Sequence, residues 1–240
     1  MFIVLGLASF LTAIISGVLG MGGGILLLSV MTFFLYPTII IPLHGFVQLV
    51  SNASRVSYLI KHVKKSFFLW FLLGLPLGVV LSIYLLRGVV TDVHIYIALL
   101  IIITYSVFKP KKLPEIKLPP KWWCIVGFVT GTLAILVGAV GPLLAVFFIR
   151  DDFTKEEIVS TKSAMQLSAH FTKIPAFLFL SFNYFDYTWL IIIMSIGVVL
   201  GTKVGVKLLK EVDSKKFKFL FKVVLFLAGL RIAYKLVSIL

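Results

Sequence analysis

Residues 16–24 read SGVLGMGGG, and this glycine cluster interrupts an apolar stretch that runs from residue 2 to residue 36. A second interruption, GAVGP at residues 138–142, lies within an apolar stretch at 122–150. Glycine costs about 1 kcal/mol per residue inside a helix, so these clusters predict that the helix unwinds there. Irregular backbone at membrane depth is tolerated only where protein buries it or a watery cavity solvates it. The paired interruptions therefore predict two broken helices around a binding site, with close helix packing through small residues as the alternative.

The composition around these interruptions is that of a membrane protein. The chain has 240 residues, of which 60% are apolar and 13% charged, and its mean hydropathy is +1.13. A soluble domain carries about 45–50% apolar and about 25% charged residues, so this chain has too few polar groups to cover a soluble surface. The net charge of +14 falls largely in lysine-rich stretches between apolar runs, which favours the lipid bilayer as partner and disfavours nucleic acid. We expect a multi-pass protein of the cell (plasma or inner) membrane.

Runs of about 20 apolar residues predict helices that can span a bilayer. We expect eight helical segments, at residues 2–36 (broken), 40–60, 66–86, 92–108, 122–150 (broken), 156–180, 185–209 and 217–238. The lysine- and proline-rich stretch KPKKLPEIKLPPK at 109–121 lies near the midpoint. We therefore predict a first transmembrane repeat at 1–108, a cytoplasmic linker at 109–121 and a second transmembrane repeat at 122–240.

Internal similarity supports this duplication. A shift of 118 residues aligns Gly20 with Gly138, Gly23 with Gly141, His44 with Lys162, Gln48 with Gln166, Asn52 with His170 and Arg55 with Lys173. Matches between polar residues in apolar segments are harder to obtain by chance than matches between apolar ones. The polar positions therefore indicate an internal repeat.

The charges of equivalent loops indicate that the two repeats are inverted. Residues 61–65 are basic, whereas the counterpart at 181–187 carries only Asp186. Inversion requires an odd number of crossings per repeat, which is met if each broken segment is a re-entrant helical hairpin followed by three transmembrane helices. All four basic stretches then face the cytoplasm, at 61–65, 109–121, 150–155 and 203–222. The alternative is that 2–36 is a kinked full span that violates the charge rule once.

Each predicted repeat carries one polar stripe. The first comprises His44, Gln48, Asn52 and Arg55, and the second comprises Lys162, Gln166, His170 and Lys173. Spacings of i, i+4, i+8 and i+11 place each set on one helical face. Polar groups inside a membrane are costly and mark a pathway, although interhelical hydrogen bonding or snorkelling are alternatives. All nine acidic residues lie in loops or at segment ends, so the interior favours an anionic substrate and disfavours a hydrolytic enzyme.

We place the anion site near the membrane midplane, between the two interruptions. The predicted substrate-binding residues are Gly22, Gly23, Gly24, Gln48, Asn52, Gly141, Pro142, Gln166 and His170. Attraction or gating is assigned to His44, Arg55, Lys162 and Lys173, because a carrier must release its ligand and neutral donors hold an anion less tightly than cations do. No catalytic residue, metal site or cofactor is predicted; the single cysteine, Cys124, can form neither an intrachain disulfide nor a thiolate metal site.

At these residues the sequence resembles the TauE/SafE family of sulfite and organosulfonate exporters. The resemblance rests on residues 16–24, on Gly131 with residues 138–142, and on the stretch from Ile158 through Gln166 and His170 to Lys173. Two departures are Val140, where a glycine is usual, and Ser29, where the first half often has proline. The resemblance implies a secondary carrier that exports small sulfur-containing anions such as sulfite or a sulfonate, and it is compatible with proton coupling.

Two other functions stay open at this point. One is an intramembrane enzyme acting on a lipid phosphate, and the other is an anion channel or a structural membrane subunit. An enzyme would need a mid-membrane carboxylate or an activated nucleophile–base pair, and the sequence shows neither. The oligomeric state is not predicted. Proton coupling, if present, is expected to involve His170, with His44 as an optional second participant, because histidine titrates near neutral pH.

Overall fold

The computed structural model describes residues 1–19, 22–88, 91–108, 116–138, 140–148, 150, 152–208 and six positions between 226 and 237. Every regular element in this part of the chain is helical. The helices are α1 (Phe2–Leu19), α2 (Gly23–Met31), α3 (Pro37–Leu59), α4 (Lys65–Gly88), α5 (Asp92–Phe108), α6 (Trp123–Val137), α7 (Gly141–Phe147), α8 (Lys155–Phe179) and α9 (Thr188–Leu208). These bounds agree with seven of the eight predicted segments. The eighth, 217–238, lies almost entirely outside the described residues.

Three helical stretches of the described chain are long and apolar enough to cross a membrane: Lys65–Arg87, Pro120–Val137 and Tyr184–Leu208. The helix at Phe2–Val18 is apolar but shorter. The helices α3 and α8 bury the predicted polar stripes except for Gln166, which is partly buried, and their hydropathy is correspondingly lower. By length and composition, the fold therefore includes helices of membrane-spanning character.

Both glycine interruptions end a helix. Helix α1 ends at Leu19 and α2 begins at Gly23, while α6 ends at Val137 and α7 begins at Gly141. Gly22 and Gly138 have φ angles of 93° and 84°, a left-handed backbone that costs a side chain with a Cβ but not glycine. Glycine at these two positions can adopt the positive φ angle, and α1 and α6 can therefore end inside the fold.

The chain folds back on itself at both interruptions. A Cβ atom built at Gly23 would overlap the carbonyl oxygen of Thr12 and lie 2.7 Å from Ser16 Oγ, so α2 lies against α1. A continuous helix would instead separate residues 12 and 23 by about 16 Å. In the second half, the ring of Trp123 at the start of α6 lies 5.2 Å from that of Phe148, just after α7. Each broken segment is therefore a helical hairpin in the structure.

The two halves of the chain pack through mixed helix pairs. Helix α1 runs along α9, and α4 runs along α6. A Cβ built at Gly201 would overlap the carbonyl oxygen of Phe10, and one built at Gly78 would overlap that of Phe128. Glycine thus brings the backbones of each pair into direct contact, as the spacing of Gly74, Gly78 and Ser82 and of Gly197, Gly201 and Gly205 predicts.

Two apolar clusters flank the centre of the fold. One gathers mainly α1, α2, α3 and α9, and the other gathers α4, α6, α7 and α8. Helices α3 and α8 pack directly on each other. This contact brings the polar stripes of the two halves together between the two hairpins.

Candidate functional site

The polar faces of α3 and α8 meet in an antiparallel crossing. The ring of His44 lies edge-on to that of His170, with centroids 5.8 Å apart. Further along α3, Arg55 Nη1 donates to Ser163 Oγ at 3.2 Å. Because a later residue of α3 meets an earlier residue of α8, the two helices run in opposite directions. The two glutamines, Gln48 and Gln166, lie on these helices within the crossing region and border the same cavity.

This cavity lies between the tips of the two hairpins. Its volume is about 20 Å³, which leaves room for about one water molecule. It is lined by Ser16, Gly22, Gly24, Ile25, His44, Gln48, Val140, Gly141, Gln166 and His170. The lining combines two neutral amides, two imidazoles, a hydroxyl and glycine backbone. The two amides, the hydroxyl, the glycine backbone and the imidazole of His170 can each donate a hydrogen bond to an anion without carrying a fixed charge.

Each glutamine lies against the hairpin tip of its own half. A Cβ atom built at Gly24 would lie 3.3 Å from Gln48 Oε1, and one built at Gly141 would lie 3.1 Å from Gln166 Nε2. These spacings leave little room for a side chain at either glycine. The two tips therefore present backbone, rather than side chains, to the amides.

Two buried basic side chains bind carbonyl groups at the breaks. His44 Nε2 donates to the carbonyl oxygen of Gly24 at 2.8 Å, which fixes a proton on Nε2. Lys173 Nζ donates to the carbonyl oxygen of Gly138 at 2.5 Å. Gly138 is the C-terminal cap of α6, where the helix dipole favours a positive charge. The Lys173 ammonium thus binds the C-terminal end of α6. The carbon chain of Lys173 packs over Gly45, where a Cβ atom built on the glycine would lie 2.8 Å from Lys173 Cδ.

Two histidine nitrogens of the site have no hydrogen-bond partner among the residues that the structure describes. They are Nδ1 of His44 and Nδ1 of His170, and both side chains are almost completely buried. A buried polar atom without a partner costs about 1–3 kcal/mol, so water or a ligand is expected to satisfy it. The unsatisfied nitrogens thus indicate a site that receives a further molecule.

The structure brings most of the predicted binding residues together. Gly22, Gly24, Gln48, Gly141, Gln166 and His170 line the cavity, and so does His44, to which the sequence assigns attraction or gating. Gly23 faces α1 instead, and Asn52 lies one turn further along α3, where its Nδ2 donates to the carbonyl oxygen of Gln48 at 2.8 Å. Pro142 belongs to the first turn of α7, and its side chain lies outside the described part.

The predicted cations lie outside the cavity. Arg55, Lys162 and Lys173 are each at most 1% exposed within α3 and α8, and none of them lines the cavity. Three lining residues, Ser16, Ile25 and Val140, were not among the predicted binding residues, although Val140 lies in the second glycine interruption, beside which the site is predicted. Of these, Ser16 gives a usable signal in the sequence, because it is a polar residue just before the glycine cluster; the other two reach the site only through the hairpin fold.

Comparison with known protein families identifies the chain. The family described as sulfite exporter TauE/SafE matches residues 5–232 of the 240. No curated protein and no solved structure matches the sequence significantly. The family is one of membrane transporters, and its description implies a small sulfur anion as substrate. Since the match spans both hairpins, the cavity and all nine helices named above, the chain belongs to the TauE/SafE sulfite exporter family.

Proposed function

We propose that this protein is a secondary transporter that exports sulfite or a related small sulfur anion by alternating access around the cavity between the hairpin tips. The observation that carries the proposal is the lining of that cavity. Gln48 and Gln166 supply amide donors, and the N-terminus of α2 at Gly22–Gly24 supplies the positive end of a helix dipole. Neutral donors can bind an oxyanion and also release it, which a carrier requires.

The charge around the cavity favours an anion as its occupant. Arg55, Lys162 and Lys173 are buried in the two helices that border it. None of the acidic side chains whose burial the structure describes is buried. A low-dielectric interior with buried positive groups creates a potential that attracts anions. Family membership then selects sulfur-containing anions from this broader class.

Two inverted repeats, each a re-entrant hairpin followed by three transmembrane helices, would supply the two states that alternating access needs. The contacts support this part of the proposal. A shift of 118 residues exchanges α1 with α6 and α3 with α8, and it exchanges the pair α1–α9 with the pair α6–α4. The apolar cluster around the first hairpin likewise exchanges with the cluster around the second. An interior with this pseudo-symmetry can open toward either side by equivalent movements.

The size of the cavity indicates which state the structure represents. A volume of about 20 Å³ accepts about one water molecule, whereas sulfite has four heavy atoms. The hairpin tips or the crossing of α3 and α8 must therefore move before the anion can bind. We assign the structure to a closed state of the proposed cycle.

Flux measurements with the purified chain in proteoliposomes test the function. We expect saturable sulfite uptake that is accelerated by sulfite inside the vesicles, which is the counterflow expected of a carrier. Gln166→Ala and Gln48→Ala should each weaken sulfite binding about 10- to 150-fold, the effect of losing one hydrogen bond to a charged ligand. Ser57→Ala, at an exposed position of α3, is the matched control and should behave like the parent.

Three other outcomes would contradict the proposed carrier function or the proposed site. A current that rises linearly with voltage and does not saturate would indicate a channel. Release of phosphate from lipid without sulfite flux would indicate an enzyme. Parent-like binding in both glutamine variants would place the anion site elsewhere.

A further inference from the structure

Arg55 is an unusual residue to find in the interior of this fold. Its side chain is 1% exposed, and it lies two helical turns, about 10 Å, beyond Gln48 on α3. That direction leads toward the basic turn at residues 61–65. Burial of a guanidinium is costly unless the charge is paired or fully hydrogen-bonded.

The partners of this guanidinium are all neutral. Nη1 donates to Asn52 Oδ1 at 3.1 Å and to Ser163 Oγ at 3.2 Å, and Nη2 donates to Ser51 Oγ at 3.4 Å. No carboxylate pairs with Arg55 in the described part of the chain, and Nε has no hydrogen-bond partner there. Guanidinium has five N–H donors, so the edge formed by Nε and Nη2 is largely unused. This is the edge that can bind an oxyanion through two parallel hydrogen bonds.

Lys173 provides an internal comparison, because the shift of 118 residues places it at the position of Arg55. Its Nζ binds the Gly138 carbonyl at the C-terminal end of α6, where the helix dipole offsets a positive charge. Arg55 binds no such helix end in the part of the chain that the structure describes. Of these two equivalent cations, Arg55 is the one whose charge still lacks a negative partner among the described residues.

Hydroxyl groups from three helices lie at or next to the guanidinium, since Ser163 and Ser51 accept from it and Thr202 lies beside Ser51. Ser51 belongs to α3, Ser163 to α8 and Thr202 to α9, and all three side chains are at most 1% exposed. Ser51 Oγ and Thr202 Oγ1 lie 3.5 Å apart. A hydroxyl hydrogen can rotate to donate to an incoming oxygen atom. The guanidinium and these hydroxyls together form a set of donors suited to an oxyanion.

We propose that Arg55, with Ser51, Ser163 and Thr202, forms a second anion subsite, separate from the central cavity. It would take the same class of ligand, a small oxyanion such as sulfite, and hold it between the 61–65 end of the molecule and the cavity. The inference rests on the proposed function, since it assumes that the chain binds such an anion. The subsite would load the anion through a charge-assisted contact, and the neutral cavity would then release it.

Equilibrium binding of radiolabelled sulfite to the purified full chain tests the subsite. We expect two sulfite ions per chain in the parent, one in Arg55→Gln and one in Gln166→Ala. Arg55→Lys should retain the second ion with weaker affinity, because lysine keeps the charge but loses the paired geometry. Loss of one hydrogen bond to a charged ligand corresponds to about a 10- to 150-fold weaker affinity. Gel filtration and thermal unfolding without sulfite show whether each variant folds.

Ser163→Ala keeps the experiment decisive if Arg55→Gln does not fold. This variant leaves the guanidinium in place and removes one hydroxyl. It should therefore weaken binding of the second ion and leave binding of the first unchanged. The subsite would be overturned if Arg55→Gln folds and still binds two ions with parent affinity. If Arg55→Gln does not fold, the same result in Ser163→Ala would overturn it. A parent that binds one ion, lost in Gln166→Ala but kept in Arg55→Gln, would also overturn it and leave the proposed function standing. A parent that binds no sulfite would overturn both.

Discussion

Lys64 Nζ lies 2.6 Å from Glu157 Oε1, and this ion pair joins the turn after α3 to the first turn of α8. The backbone N–H of Lys64 also donates to Thr161 Oγ1, at 2.9 Å. The chain segments on either side of these contacts belong to different halves of the sequence. Direct bonds between them require that the turn at 61–65 and the start of α8 lie on the same side of a membrane.

The first prediction concerns the side of the membrane on which the basic loops lie. In a Cys124→Ser background, Lys61→Cys, Lys121→Cys and Lys215→Cys should all react with an impermeant maleimide from the cytoplasmic side, because basic loops remain there. Phe185→Cys should react from the opposite side; Phe185 is 86% exposed. Labelling of Lys61→Cys and Lys215→Cys from opposite sides would contradict the inverted arrangement.

The second prediction concerns Glu157, which lies in the first, solvent-exposed turn of α8. The hydrogen bond from Lys64, together with that from the Thr154 N–H, holds the pKa of this carboxyl below its ordinary value of 4.5. A lowered folded-state pKa means that the stabilisation is present above pH 4.5 and is lost as the pH falls through the folded-state pKa. Glu157→Gln should therefore lower the melting temperature at pH 7, and the difference from the parent should shrink on acidification below that value.

Glu156→Gln is the control for this measurement. Its carboxylate makes no hydrogen bond or ion pair in the described part of the chain, so its removal should change the melting temperature less at pH 7. Glutamine can still accept from the Thr154 N–H, so Glu157→Gln keeps the capping box and removes only the negative charge at the N-terminus of α8 and in the pair with Lys64. Equal losses for the two variants at every pH would show that the charge of Glu157 does not stabilise α8.

The third prediction concerns the contact between α4 and α6. Gly78→Val should destabilise the protein by about 1–3 kcal/mol, because the new side chain would have to push α6 away from the carbonyl of Phe128. Leu77→Ala is the control, since Leu77 is 63% exposed and its truncation leaves that contact unchanged. Thermal unfolding of both variants in the same detergent gives the comparison. A Gly78→Val protein as stable as the parent would mean that the two helices do not pack this closely.

The fourth prediction concerns the two histidines of the cavity. Their rings are in contact, and histidine is the side chain whose charge ordinarily changes between pH 5 and pH 8. If transport is coupled to protons through this pair, His170→Gln and His44→Gln should each flatten the pH dependence of sulfite flux. A sulfonate that does not titrate in this range serves as a second substrate, because sulfite itself titrates near neutral pH. An unchanged pH profile in the double variant with the sulfonate would discard this role.

The helix breaks and the polar faces could be predicted because their causes are local. The cost of glycine in a helix acts at residues 20–24 whatever surrounds them, and a spacing of four residues places Gln48 below His44 in any helix. The same local rules give the glycine faces of α4 and α9, which the structure confirms as close backbone contacts. No knowledge of the partner helix was needed for these features.

Other features depend on tertiary contacts that no local rule encodes. Gly23 turns toward Thr12 rather than toward the cavity because α2 folds back along α1. The sequence shows Lys173 as a cation in an apolar helix, but its partner, the carbonyl of Gly138, lies 35 residues away in the chain. Ile25 and Val140 are ordinary apolar residues until the hairpins place them at the cavity. Such assignments require the three-dimensional structure.

The pairing of α1 with α9 also constrains how the protein is made. The glycine-lined surface through which α9 fits against α1 is completed only when Gly205 has been synthesised, close to 200 residues after Gly6. Until then α1 has no partner for that face and must be held by lipid or by the insertion machinery. Because α1, α3 and α4 each pack mainly on a helix of the second half, the first half should not assemble stably without it.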